Sequence, residues 1–173
     1  MKVFILSFLI LCSSIYVFPE NAKKTVKIKI NKEVKINNRK FNIFQVIDNR
    51  LIQCQNLGYI EGLSGHKTYL FLDECLNKTL YDFLNVAFPK NDTMVAVIMK
   101  INNINCRNKQ SLFHVSAIVN IEIEYFTNDN KLLFKSVITK ECKRIWLSPK
   151  TYSNLIRSII FDSIYGLNET LMN

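Results

Sequence analysis

The sequence predicts an α+β fold: a mostly antiparallel or mixed twisted sheet with two main helices packed on one face. Three observations carry this expectation. Residues 113–142 hold two long stretches of alternating apolar and polar residues around Thr127-Asn128-Asp129-Asn130, the period and turn chemistry of a β-hairpin. Behind Asp73, and again behind Ser148-Pro149, apolar residues recur at the three- and four-residue spacing of a helix that buries one stripe. With only 4 Gly and 3 Pro in 173 residues and no repeat of fixed period, the chain has little linker character.

The elements follow in order. Residues 25–30 set Val26, Ile28 and Ile30 on one face and Lys27 and Lys29 on the other, a half-buried strand. Residues 32–38 are polar and turn-like, and residues 41–47 form a second strand ending at Asp48-Asn49-Arg50. A long loop with Gly58, Gly62, Ser64 and Gly65 follows, with a short extended piece at 57–60 and a short strand at 68–72. Asp73 reads as the N-cap of a helix carrying Leu76, Leu80, Phe83, Leu84 and Ala87, and Pro89 stops it. Residues 94–101, dense in β-branched and aliphatic side chains, read as a buried central strand. Residues 113–125 and 132–142 make the hairpin. Ser148 and Pro149 start a last helix whose stripe runs from Tyr152 through Ile156, Ile160 and Ile164 to Leu171.

Residues 1–18 have the layout of a secretory signal: Lys2, an apolar run over 3–11, then Cys12-Ser13-Ser14. Cleavage after Ser14 puts small residues at both recognised positions. The apolar run falls short of the roughly 20 residues of a spanning helix, so no membrane span is expected once the signal is removed. Residues 23–173 are then a single exported domain. Cys12 admits a second reading, as a lipid-modified cysteine, but Leu11 stands where such a site has a small residue. Five cysteines less Cys12 leave four, Cys54, Cys75, Cys106 and Cys142, with 3 possible pairings in an oxidising compartment. The strand ends favour Cys106 with Cys142, and Cys54 with Cys75; free buried thiols are the alternative.

The net charge of +9 and the pI of about 9.3 favour anionic surfaces and argue nothing about fold. Its lysines and arginines are spread along the chain, as on solvated strand faces. The competing view is a patch for an anionic surface polymer or lipid; nucleic acid is not expected in an exported protein. No cysteine or histidine spacing fits zinc, and no cofactor motif is present. Asp48 and Arg50 point to one side of a strand end and can hold the following loop, or bind a ligand. His66, beside Gly65, is the best-placed general acid–base residue, while His114 lies on a polar strand face. Glu122 and Glu124, about 7 Å apart on one strand face, are loosely compatible with paired carboxylates, and Lys135 or Lys140 opposite would neutralise them. Asn77, Asn91 and Asn168 open N-glycosylation sequons, relevant only in a eukaryotic host. None of these makes an enzyme, and no catalytic residue is assigned.

Phe44-Gln45-Val46-Ile47-Asp48-Asn49-Arg50 followed by Leu57-Gly58-Tyr59-Ile60 resembles the "V-x-D-x-R … I-G" start of the YajG-like envelope proteins of Gram-negative bacteria. The helix running into Phe88-Pro89, the long hairpin and the last helix match that group's order of elements over most of residues 41–171. The resemblance implies a periplasmic or outer-membrane-associated α/β module, usually a lipoprotein, without catalysis and of undefined role. The expected function is therefore a non-catalytic binding or assembly module of the envelope, with an envelope protein as partner. A small secreted hydrolase using His66 and a polysaccharide or anionic-surface binder are the alternatives.

Overall fold

The computed structural model describes residues 22–27, 36, 39–51, 54–62, 64–91 and 93–172. The expected signal segment and Cys12 lie outside the described residues, as do Ile28, Lys29 and Ile30 of the first expected strand. The elements run β1 (Ala22–Val26), β2 (Phe41–Asp48), β3 (Asn56–Glu61), β4 (Lys67–Leu72), α1 (Leu76–Ala87), β5 (Val95–Gln110), β6 (Val115–Thr127), β7 (Leu132–Arg144) and α2 (Pro149–Met172). Among the described residues seven strands make one mixed sheet in the order β1-β4-β3-β5-β6-β7, with β2 also paired to β5. β1–β4, β2–β5 and β3–β5 are parallel, whereas β3–β4 and the β5–β6–β7 meander are antiparallel.

The central strand runs 16 residues, well past the expected end at Ile101. A register shift between Ile101 and Asn103 re-phases the alternation. Val97, Met99 and Ile101 face the core before it, and Ile104 and Cys106 return to the core after it. β2 and β3 lie end to end along the same side of this long strand. β2 pairs with Val95–Ile101, and β3 rejoins at the single pair Gly58 and Cys106.

Both helices cover one face of the sheet and meet through Phe161 of α2, whose ring centroid lies 5.5 Å from Phe83 and 5.8 Å from Phe88. Tyr152, Ile156, Ile159, Ile160, Ile164 and Leu167 of α2 are fully buried, as their spacing requires. One helix detail and one strand boundary differ from expectation. Asp73 does not cap α1: the cap position is Cys75, which offers no side-chain hydrogen bond. The Leu76 amide instead donates to the Cys54 carbonyl at 3.0 Å, and Asp73 makes an exposed ion pair with Lys27 at 3.7 Å. Phe113 also lies outside β6, which starts at Val115.

A polar knot sits where α2 crosses the hairpin. The Tyr125 hydroxyl lies 2.9 Å from Ser163 Oγ, which is 2.5 Å from Ser136 Oγ, all three residues being buried. Burial raises the Tyr125 phenol above its ordinary range, and Ser163 opposes that through its hydrogen bond. Ser163→Ala removes the middle of this buried chain. It is expected to lower unfolding free energy by about 1–3 kcal/mol in urea titrations. In the Tyr125→Phe background the same change is expected to cost less, since the two groups share a bond.

Candidate functional site

Where β2 leaves β5 the chain must swing out and return as β3, and Arg50 fills the inside of that swing. Its Nε and Nη2 donate to the two Asp48 carboxylate oxygens, each at 2.7 Å. Nη1 donates to the Asn56 carbonyl at 2.6 Å, and Nη2 also to the Cys54 carbonyl at 2.9 Å. The Arg50 and Asp48 side chains are 3% and 9% exposed. This bidentate, charge-assisted pair with two backbone acceptors fixes the loop from both ends. A cleft of about 370 Å³ opens beside it, between β2 and the disulfide.

Cys54 and Cys75 are bonded, their Cα atoms 4.8 Å apart, and so tie this same loop to the start of α1. Removing the bond with Cys54→Ser and Cys75→Ser together is expected to cost about 2–4 kcal/mol, given the 21-residue separation. A lower urea midpoint, reproduced by dithiothreitol on the native chain, checks this. The pairing of Cys106 with Cys142 does not occur; both are free. They do share one end and one face of the sheet, because Cys106 opposes Val119 and Cys142 opposes Ala117. But β6 runs between their strands, which separates them by two strand spacings, about 10 Å, beyond disulfide reach. Burial pushes the Cys106 thiol up to about 12, with Arg50 opposing weakly, so it is not a nucleophile at neutral pH.

The acidic pair is neutralised as a cross-strand cluster. Lys135 Nζ lies 2.6 Å from Glu122 and 3.0 Å from Glu124. Hydrogen bonds from Asn102 and then Lys135 hold the Glu124 carboxyl below its ordinary value, and the two carboxylates raise Lys135. Lys140 turns to the other face, to Asp162 of α2 at 2.5 Å. His66 sits exposed in the β3–β4 turn, where its carbonyl accepts the Gly62 amide at 2.9 Å. Asn168 is buried and accepts the Lys40 amide at 3.3 Å, so its sequon is not accessible in the folded chain. Among the described residues no group of three His, Cys, Asp or Glu is placed to hold a metal ion, and no helix is long and apolar enough to cross a membrane.

The sequence reading missed the most unusual surface. The β5–β6 connection and the β7–α2 connection emerge at the same end of the sheet, because Val115 opposes both Gln110 and Arg144. Their tips expose Leu112 (93%), Phe113 (88%), Ile145 (73%) and Trp146 (84%). A cleft of about 450 Å³ runs between them, floored by Ile60, Val115 and Leu147 and edged by His114, Glu61 and Lys24. Isolated exposed apolar residues are normal, but here four large ones stand together on two adjoining loops as one exposed apolar patch. The available signal was positional: Ser111-Leu112-Phe113 and Ile145-Trp146-Leu147 put large apolar side chains where strands end. A second patch lies on the sheet face opposite α1 and α2. Tyr59 and Tyr69 are 6.2 Å apart and Tyr69 and Phe71 6.4 Å, with Lys67 Nζ 4.5 Å over Tyr59 and Lys23 Nζ 5.1 Å over Phe71.

No family model and no curated protein matches the sequence. Among solved structures, a crystal structure of a Xanthomonas campestris protein assigned to DUF330 aligns with a TM-score of 0.54 at 7% identity, over 86% of this chain and 95% of that one. A second, described as an uncharacterized protein, aligns at 0.49 and 9% identity over 88% and 99%. The first likeness is one of fold.

Proposed function

We propose that the chain is an exported, non-catalytic binding or assembly module that engages its partner through the end of the sheet carrying Leu112, Phe113, Ile145 and Trp146. The four exposed side chains on two neighbouring loops are the observation that carries this reading. Their base is the three-stranded β5–β6–β7 meander, a rigid mount for a contact surface. Export is supported by the signal-like residues 1–18 and by the Cys54–Cys75 bond, which fits an oxidising compartment. The YajG-like motif favours the cell envelope. A photo-crosslinking residue at Phe113 is expected to give discrete adducts in the native cell, whereas one at Tyr165 on α2 gives none. Identical behaviour at the two positions would sink the proposal. Intact-mass measurement of the native protein tests export: retention of residues 1–11 contradicts it.

The tyrosine and lysine ladder on the open sheet face supports a second reading, an anionic polysaccharide binder, because flat rings with flanking cations suit charged sugars. Tyr59→Ala and Tyr69→Ala are then expected to abolish retardation in polysaccharide-containing native gels. The hydrolase reading needs a second titratable group beside His66; the larger cleft is edged by His114 instead.

A further inference from the structure

We propose that this end of the sheet docks on a membrane surface bearing anionic headgroups, with the two loop tips inserted at the headgroup–acyl boundary; the inference rests on the reading of that end as the contact surface. The residue types suit that depth. Trp146 and Phe113 are the amphipathic and aromatic side chains that favour a bilayer interface, and Leu112 and Ile145 add aliphatic area beside them. The tips extend beyond the last paired residues of β5, β6 and β7, so they can enter a soft surface without unpairing the sheet.

Charge selects among possible partners. Lys109, Lys143, Arg144 and Lys150 are exposed next to the two loops, and Lys24 edges the cleft. Lys109 and Lys143 oppose the same residue, Ser116, from either side, which places two cations in a row across three strands at the mouth of the patch. Among the described residues none of these five makes an ion pair with a carboxylate. Glu61 at the cleft edge and Glu141 on β7 are the nearby acids. An apolar tip with unpaired cations on the strands and loops beside it complements lipid phosphates above hydrocarbon. A purely apolar protein groove would leave those charges unanswered. Each cation near an anionic bilayer strengthens binding by about fivefold, so these cations and the tips act together.

The chain has one tryptophan, Trp146, so its own fluorescence reports insertion. The disulfide-intact mature protein is titrated with vesicles of phosphatidylcholine containing phosphatidylglycerol, and with phosphatidylcholine alone. We expect co-sedimentation and a blue-shifted Trp146 emission with the anionic vesicles only. Leu112→Ser with Phe113→Ser is expected to lower affinity at least tenfold and to abolish the blue shift, with an unchanged thermal midpoint as the check on folding. Lys143→Glu with Arg144→Glu is expected to weaken binding by more than tenfold and to flatten its salt dependence. Absence of vesicle binding, or binding without a blue shift that the loop variants leave unchanged, overturns the proposal. If vesicles fail while the Phe113 crosslinker captures a protein, the membrane assignment falls and the binding-module reading stands. If Phe113 gives no adduct of either kind, both fall.

Discussion

Gly58→Ala is expected to unfold at a temperature about 10 °C below the native chain, the largest effect of a methyl group added at any of the four glycines. Gly58 has φ +124°, and a Cβ there would lie 2.2 Å from the Cys106 carbonyl oxygen and 2.9 Å from its amide nitrogen. Both neighbours are backbone of the central strand and cannot rotate away. Backbone strain of about 1–3 kcal/mol and overpacking of about 1–3 kcal/mol act together. For a domain of this size each kcal/mol moves the midpoint by about 2–4 °C. Gly65→Ala is the control: its φ is +77°, yet nothing lies within 4 Å of the added carbon. It should show the backbone cost alone, about 1–2 kcal/mol. Equal midpoints for the two variants would mean that β3 does not lie against β5 at Gly58.

The second large effect belongs to Arg50. Arg50→Met leaves the Asp48 carboxylate buried without its counter-ion and strips a donor from each of the Cys54 and Asn56 carbonyls. Breaking one side of a buried pair costs about 3–5 kcal/mol, and the urea midpoint should fall accordingly. Adding Asp48→Leu relieves the stranded charge but not the two carbonyls, so the double variant should recover only part of the loss. Arg50→Lys should sit between, because an ammonium cannot bridge two carboxylate oxygens and two carbonyls in one plane. Full recovery in the double variant would show that Arg50 serves Asp48 alone and leaves the loop unheld.

The hairpin β6–β7 and the helix α2 were legible because each repeats one period over many residues, with turn or cap chemistry at the ends. The second half of β5 was not. Its bulge at Asn102 breaks the alternation, and residues 102–110 then look like a polar connection. Gly58 reads as an ordinary loop glycine in sequence, since the strand that crowds it lies 48 positions later, at Cys106. The parallel pairing of β1 with β4 is equally silent, because no turn joins them and no local pattern records a partner. Asp48 and Arg50 stood out by their spacing, but the carbonyls that complete the clamp come from a loop with no pattern of its own. The loop tips were lost for the opposite reason: Phe113 continues the alternation of β6, and so passed for its first core residue. Cys106 and Cys142 show the limit of reasoning from strand ends, which says which end of a sheet a residue reaches but not which strands are neighbours.

The helix α2 also fastens the earliest described residues. Ser153 Oγ donates to the Lys27 carbonyl at 2.6 Å, and Asn168 accepts the Lys40 amide at 3.3 Å, across separations of 126 and 128 residues. During synthesis the first strands emerge long before the segment that covers them. They must wait with their apolar face open until residues 149–172 follow. Such a chain completes its fold only after release, through slow, non-local contacts. Until then it is open to proteases and to aggregation.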